Sequence, residues 1–281
     1  MRSAVSNRLK SILGRLLNAT PWPRFLFRDK FLIVAFHRVN ESTVGDGITC
    51  RPEQFRSICV WLANNFQVVP LSAQIEALEK GHILSNSASI TFDDGYLDNF
   101  EIAAPILREL HLPATFFVAT DLIGGNYVTI WDRERGIVTR WMTWAHVQEL
   151  AAQGFEIESH TCTHVDLGTA DRELAWTELR NSLEKLESTI GTRQRMFAYP
   201  FGGAANINQT MRALVRDAGY RCCLSCHGGI NTAGMSPFEL YRVPVNEEYE
   251  SPAQFAFELF RYSRASTQRV REIAEPRARL A

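Results

Sequence analysis

The chain is predicted to fold as an α/β barrel, and three observations carry that expectation. Short apolar runs of strand length alternate with amphipathic helical stretches through the middle of the sequence, with no linker between them. The runs 31–36 and 114–119 are apolar on both faces, as central parallel strands are. No glycine-rich nucleotide turn interrupts the alternation, which favours a barrel over an open doubly wound sheet. The 281 residues suffice for one domain with a substantial core.

In order, a basic lead over 1–30 contains an amphipathic pattern with Leu9, Ile12, Leu13, Leu16 and Leu17 on one side. The run 31–36 ends in His37. Pro52 opens a helix carrying Phe55, Cys59, Leu62 and Phe66, since proline is tolerated in a first turn. Residues 68–70 suggest a short strand, and Ser72 is the expected cap of a helix reaching Lys80. The strand 87–92 runs into Asp93-Asp94-Gly95, and a helix is expected over 98–111 until Pro113 breaks it. Residues 121–142 show little periodicity and read as a long loop beside a site. Thr143 caps a helix over 144–153 that Gly154 ends. A strand over 155–159 ends in His160. The stretch 171–190 is a long helix with Leu174, Leu179, Leu183 and Leu186 inward. Strands at 196–199, 220–225 and 241–245 and a helix at 208–218 complete the series.

The bulk composition excludes some classes. With 30 Lys and Arg against 31 Asp and Glu, the whole chain has no charge bias toward nucleic acid. No stretch reaches the roughly 18 to 20 apolar residues of a membrane span. Lys10, Gly14 and Arg15 interrupt the N-terminal apolar pattern, which makes it a poor secretory signal. The basic amphipathic lead suits either packing onto its own domain or peripheral contact with an anionic membrane. The six cysteines read as reduced thiols, and the expected location is the cytoplasm, at the inner membrane face if the lead touches lipid.

Chemistry should gather at the strand ends, because parallel α/β folds bring them to one rim. Two adjacent carboxylates, Asp93 and Asp94, repel unless a cation or shared proton relieves them. His160 and His164, four apart at another strand end, can meet one ion if the segment is helical or a tight turn. Two imidazoles and a carboxylate leave open positions on a divalent ion, and the second Asp is then free to act as general base. His37 and His227 remain as candidates for an acid, each with an ordinary structural alternative. The Cys222-Cys223-x-x-Cys226-His227 group has no second C-x-x-C to complete a zinc site, and Cys222 and Cys223 suit core packing. Trp131 and Trp141 are candidates for stacking on sugar rings, whereas Trp144 suits packing.

The motifs ITFDDGY (90–96), SHTCTH (159–164), FAYPFGG (197–203) and VAFHRV (34–39) resemble the polysaccharide deacetylase family in type and in order. The resemblance spans about 31–245. It implies a distorted (β/α) barrel, in one catalytic domain over 31–250 followed by a basic helical tail over 251–281. It also implies metal-dependent removal of acetyl groups from N-acetylated sugars, commonly with Zn2+, and with Co2+, Ni2+ or Mn2+ as alternatives. Residue by residue, Asp93 matches the family's base, Asp94, His160 and His164 its metal ligands, and Tyr199-Pro200-Phe201 its groove motif, where an N–H near Tyr199 is a candidate oxyanion donor. Two departures stand out. Ala198 occupies the position where many members carry an arginine that orients the base, and 241–245 does not match the family's late motif with its acid histidine. The expected substrate is therefore an acetylated glycan in a polysaccharide or lipid-linked precursor. The alternatives are an amide or imide hydrolase for a small non-sugar molecule, and a catalytically impaired carbohydrate-binding homologue.

Overall fold

Strand β1 (Lys30–Phe36) is buried at every position, as a strand covered on both faces must be. In the computed structural model it anchors a curled sheet whose remaining elements follow in chain order. The structure describes residues 2–43, 45–138, 140–191 and 195–274, with side chains apart from 2–8, 131 and 264–274. Helices α1 (Arg2–Asn18) and α2 (Trp22–Leu26) precede β1. After it come β2 (Arg38–Val39), β3 (Thr49–Cys50), α3 (Pro52–Asn65), β4 (Gln67–Val68), α4 (Leu71–Glu79) and β5 (Ser87–Phe92). A π-helical turn (Asn99–Ala103) runs into α5 (Ala104–Glu109), followed by β6 (Thr115–Val118), α6 (Ile130–Arg135), α7 (Trp144–Ala152), β7 (Glu156–Ser159) and α8 (Arg172–Ile190). The last elements are β8 (Met196–Ala198), α9 (Gln209–Asp217), β9 (Cys222–Leu224), β10 (Asn231–Thr232), β11 (Val243–Pro244) and α10 (Pro252–Ala274).

The main sheet runs β10-β1-β5-β6-β7-β8-β9, parallel except for β10 against β1, with β11 pairing β1 and β4 pairing β5. Alternation along the strands splits the core into two faces. Phe31, Ile33, Phe117, Met196, Ala198, Cys222 and Leu224 pack inside the curl. Leu32, Val34, Phe36, Phe92 and Phe116 face the helices. The segment 240–245 joins the two open edges. Leu240 bridges Leu224 of β9, while Val243 pairs Val34 of β1 and Val245 donates to the Ala35 carbonyl. The expected distorted barrel is therefore a curled, mostly parallel sheet, closed by an irregular segment instead of a full ring.

Several local expectations need correction. Ser72 does not cap α4. The helix starts one residue earlier, and the Leu71 and Ser72 N–H groups donate to the Glu156 carboxylate of β7, a cap that no local pattern encodes. Leu174 lies outside, because the buried stripe of α8 is Ala175, Glu178, Leu179, Ser182, Leu183 and Leu186. The helix expected over 98–111 opens as the π-helical turn, and the 121–142 loop contains α6. Trp141 is buried, stacked on Tyr96 at 4.8 Å with its N–H on the Tyr127 carbonyl, so it packs and does not face solvent. Cys222 and Cys223 are core residues, and all six cysteines are free thiols.

The loop after β2 and helix α6 are held by one buried cation. Arg38 Nη1 lies 2.8 Å from Asp46 Oδ2, its Nη2 pairs with Asp132, and its guanidinium sits 4.2 Å over the Tyr96 ring. Removing one partner of such a buried pair strands the others in low dielectric. Arg38→Met is expected to destabilise the fold by about 3 kcal/mol or more. Thermal unfolding of the variant measures this, and an unchanged midpoint would show that the network is dispensable.

Candidate active site

Asp93 and Asp94 follow directly on β5, at the C-terminal rim of the sheet. Asp94 has φ 77°, a left-handed conformation that costs a non-glycine residue free energy, and it is followed by Gly95 at φ 97°. This turn lets two neighbouring carboxylates serve one pocket. Thr161, His164 and Phe201 share the positive φ, so strained backbone concentrates around the same rim.

Asp94 Oδ1 lies 3.2 Å from His160 Nε2 and 3.1 Å from His164 Nε2. The three donor atoms all fall within 4.8 Å of one another. Asp94 Oδ1 is buried without a well-oriented hydrogen bond, so these contacts have the convergence of ligands and not the directionality of donors. Two imidazole nitrogens and one carboxylate oxygen fit a divalent cation that keeps further positions open. His160 Nδ1 is 2.8 Å from the Ala198 carbonyl, which fixes the ring with Nε2 facing the cluster. Burial alone would raise the Asp94 carboxyl. The His164 and His160 imidazoles outweigh it and hold the group well below the ordinary carboxylate range.

The expected pairing of His160 with His164 is thus realised in a turn instead of a helix. Glu178 of α8 shapes that turn. Its carboxylate accepts the Cys162 and Thr163 N–H groups at 2.8 and 2.9 Å and the Thr163 hydroxyl at 2.7 Å.

Asp93 is held by a residue that the sequence reading missed. Arg242 meets it in a bidentate pair, Nη1 to Oδ1 at 2.6 Å and Nη2 to Oδ2 at 2.7 Å. The arginine is fully buried. It sits in the closing segment just before Val243, which pairs Val34 of β1, and its Nε donates to the Ser225 carbonyl. Burial alone would raise the Asp93 carboxyl, but the Arg242 charge prevails and holds it below the usual range, ready to accept a proton. Arg195, the arginine nearest to the expected motif, instead pairs with Glu187 at 2.9 Å. One signal was available, because a charge in the strand pattern 241–245 needs a buried partner.

His37 joins this pair. Its Nε2 is 3.8 Å from Asp93 Oδ2, and Asn99 donates to its backbone carbonyl at 2.6 Å. Burial lowers its imidazole from the ordinary value, against the pull of Asp94 and Asp93. His227 has its Nδ1 at 3.2 Å from the Gly202 carbonyl and its ring against Tyr241. Tyr199 is buried against Phe197, and its N–H donates to Leu224, so that amide is spent on the sheet and is not an oxyanion donor. Pro200 is buried, while Phe201 is 53% exposed with its ring 4.9 Å from that of His164. Trp131 belongs to α6, and its side chain lies outside the described residues.

A carboxylate base beside a two-histidine, one-carboxylate donor set is the equipment of a metal-assisted hydrolase. A family model described as Polysaccharide deacetylase matches residues 81–223, and the chain belongs to that family of hydrolases. Among its relatives, YxkH of Bacillus subtilis (strain 168) is 24% identical over 219 residues, which cover 77% of this chain and 72% of that protein. The poly-beta-1,6-N-acetyl-D-glucosamine N-deacetylase of Staphylococcus epidermidis is 26% identical over 161 residues, covering 53% of each chain. In fold the chain is similar to IcaB from Ammonifex degensii, with a TM-score of 0.68 at 22% identity, covering 81% of this chain and 96% of the other. It is also similar to the Streptococcus pyogenes deacetylase PplD in complex with acetate, with a TM-score of 0.67 at 22% identity and coverage of 83% and 98%.

Proposed function

We propose that the chain removes N-acetyl groups from an amino sugar in a polysaccharide or a lipid-linked glycan precursor, with a divalent metal held by Asp94, His160 and His164. The observation that carries this reading is the pairing of Asp93 with Arg242 beside that donor set. Zn2+ is the first candidate for two nitrogens and one carboxylate, with Co2+, Ni2+ and Mn2+ as alternatives. When bound, the ion supplies Lewis-acid polarisation of the acetyl carbonyl and a more acidic water.

The chain's own residues supply the proton handling. Asp93, ionised through Arg242, takes the proton of the attacking water. The neutral His37 imidazole, 3.8 Å away, is placed to receive that proton and deliver it to the departing amine nitrogen. Phe201 offers an exposed ring beside His164 for the apolar face of a pyranose. Because Arg242 orients Asp93 in place of the arginine absent at 198, that departure gives no reason to read the chain as a non-catalytic binder.

A staphylococcal relative named for β-1,6-linked N-acetylglucosamine makes that polymer the first substrate to try. Acetate should be released from it, and release only from O-acetylated glycans would reject N-deacetylation. His37→Gln is expected to lower kcat by about 100-fold. His227→Gln should leave it near wild type, and the opposite ranking would move the acid to His227.

A further inference from the structure

The N-terminal helix is docked with its apolar side outward. Gly14 lies against the Ala253 carbonyl of α10, so close that a Cβ on it would come within 1.8 Å of that oxygen. Around it, Lys10 pairs with Glu258 at 2.7 Å, the Ser11 hydroxyl accepts from Gln254 at 3.1 Å and Asn18 accepts the Trp61 indole N–H at 3.0 Å. These contacts use the small and polar side of α1. The opposite side, spaced i, i+3, i+4 and i+7, carries Leu9, Ile12, Leu13 and Leu16, which are 56%, 56%, 37% and 64% exposed. The apolar pattern in the sequence therefore does not seal the helix to its own domain. Leu17 alone of that set turns toward the core.

Beyond the helix, α2 exposes Phe25 next to Arg24, with Arg28 exposed one turn further on and Arg15 exposed within α1. Of the seven Lys and Arg in residues 1–30, Arg15, Arg24 and Arg28 are exposed, Lys10 is paired with Glu258 and Lys30 is buried, and Asp29 is the single acid. A row of exposed apolar side chains within so one-sided a charge is unusual for a face left to water. It matches an anionic bilayer, into whose headgroup region a basic amphipathic helix sinks its apolar face by about 5–10 Å. Among the described residues no helix is long and apolar enough to cross a membrane, so the contact is a surface one.

We infer that the outward face of α1, together with Phe25, docks the enzyme on an anionic lipid surface. The full chain should sediment with vesicles containing one-quarter phosphatidylglycerol at least about tenfold better than with pure phosphatidylcholine, and less so at high salt. The double substitution Ile12→Glu/Leu16→Glu should reduce that binding at least about tenfold, since both side chains are already in water and the fold does not depend on them. Its circular dichroism and its acetate release from a soluble glycan should match the wild type. Equal sedimentation of wild type and variant, or equal binding to both vesicle types, would overturn the inference. So would a wild-type dimer in solution that the substitutions dissociate and that ignores vesicles, which would assign the stripe to a second copy of the chain.

Discussion

Replacing Arg242 with methionine is expected to lower kcat by about 1000-fold while the site keeps its metal. The guanidinium does two things for Asp93. It fixes both carboxylate oxygens, at 2.6 and 2.7 Å, and it opposes the burial that would otherwise raise the carboxyl. Without it, only the His160 and His37 imidazoles oppose burial, so the pKa of Asp93 rises and less of the base is ionised at a given pH. The sign follows directly. The acid limb of the pH profile of kcat/KM, which reports the base in the free enzyme, should move to higher pH. Loss of orientation alone accounts for about 100-fold, and loss of the correct protonation state adds to it. Arg242→Lys should restore part of the rate through its charge but little of the geometry, because an ammonium cannot make the bidentate pair. Methionine also strands a buried carboxylate, so this variant is expected to lose stability. The double variant Arg242→Met/Asp93→Asn should recover stability without activity. An unshifted pH profile in the single variant would show that Arg242 is structural only.

The second large effect separates the two adjacent aspartates. Asp93→Asn should lower kcat by about 10,000-fold or more yet bind metal as the wild type does, since Asp93 faces Arg242 and His37. Asp94→Asn should lose both metal and activity, because its Oδ1 is the point where His160 and His164 converge. Metal content by elemental analysis beside acetate release distinguishes the two. If both variants lost metal alike, Asp93 would be a ligand and the assignment of the base would fail.

What could be seen in the sequence was the chemistry carried by short local patterns. Asp93-Asp94-Gly95 and His160-x-x-x-His164 lie at the ends of runs whose strand character is plain, so their convergence follows from a parallel sheet. The charge of Arg242 in a strand pattern called for a buried partner, but which partner was out of reach, because Asp93 lies 149 positions away. Nothing in Tyr241-Arg242-Val243 says that this segment closes the curl and carries its arginine inward. The same holds for Arg38 with Asp132, 94 positions apart, and for Glu156 capping α4 from β7. One helix face was misjudged where a single residue decides, since Leu174 falls just off the buried stripe of α8. The apolar side of α1, which the sequence left open between packing and a surface contact, is its outer face. In each case the pattern shows that a face exists, and tertiary contacts decide which way it points.

We propose that hydrolysis depends on a divalent metal held by Asp94, His160 and His164. It is tested most directly by stripping the protein with a chelator, assaying acetate release from the N-acetylglucosamine polymer, and then restoring Zn2+, Co2+, Ni2+ or Mn2+ one at a time. Acetate release should vanish in the stripped protein and return with at least one metal at one ion per chain. Full release from protein shown to be metal-free would contradict the account.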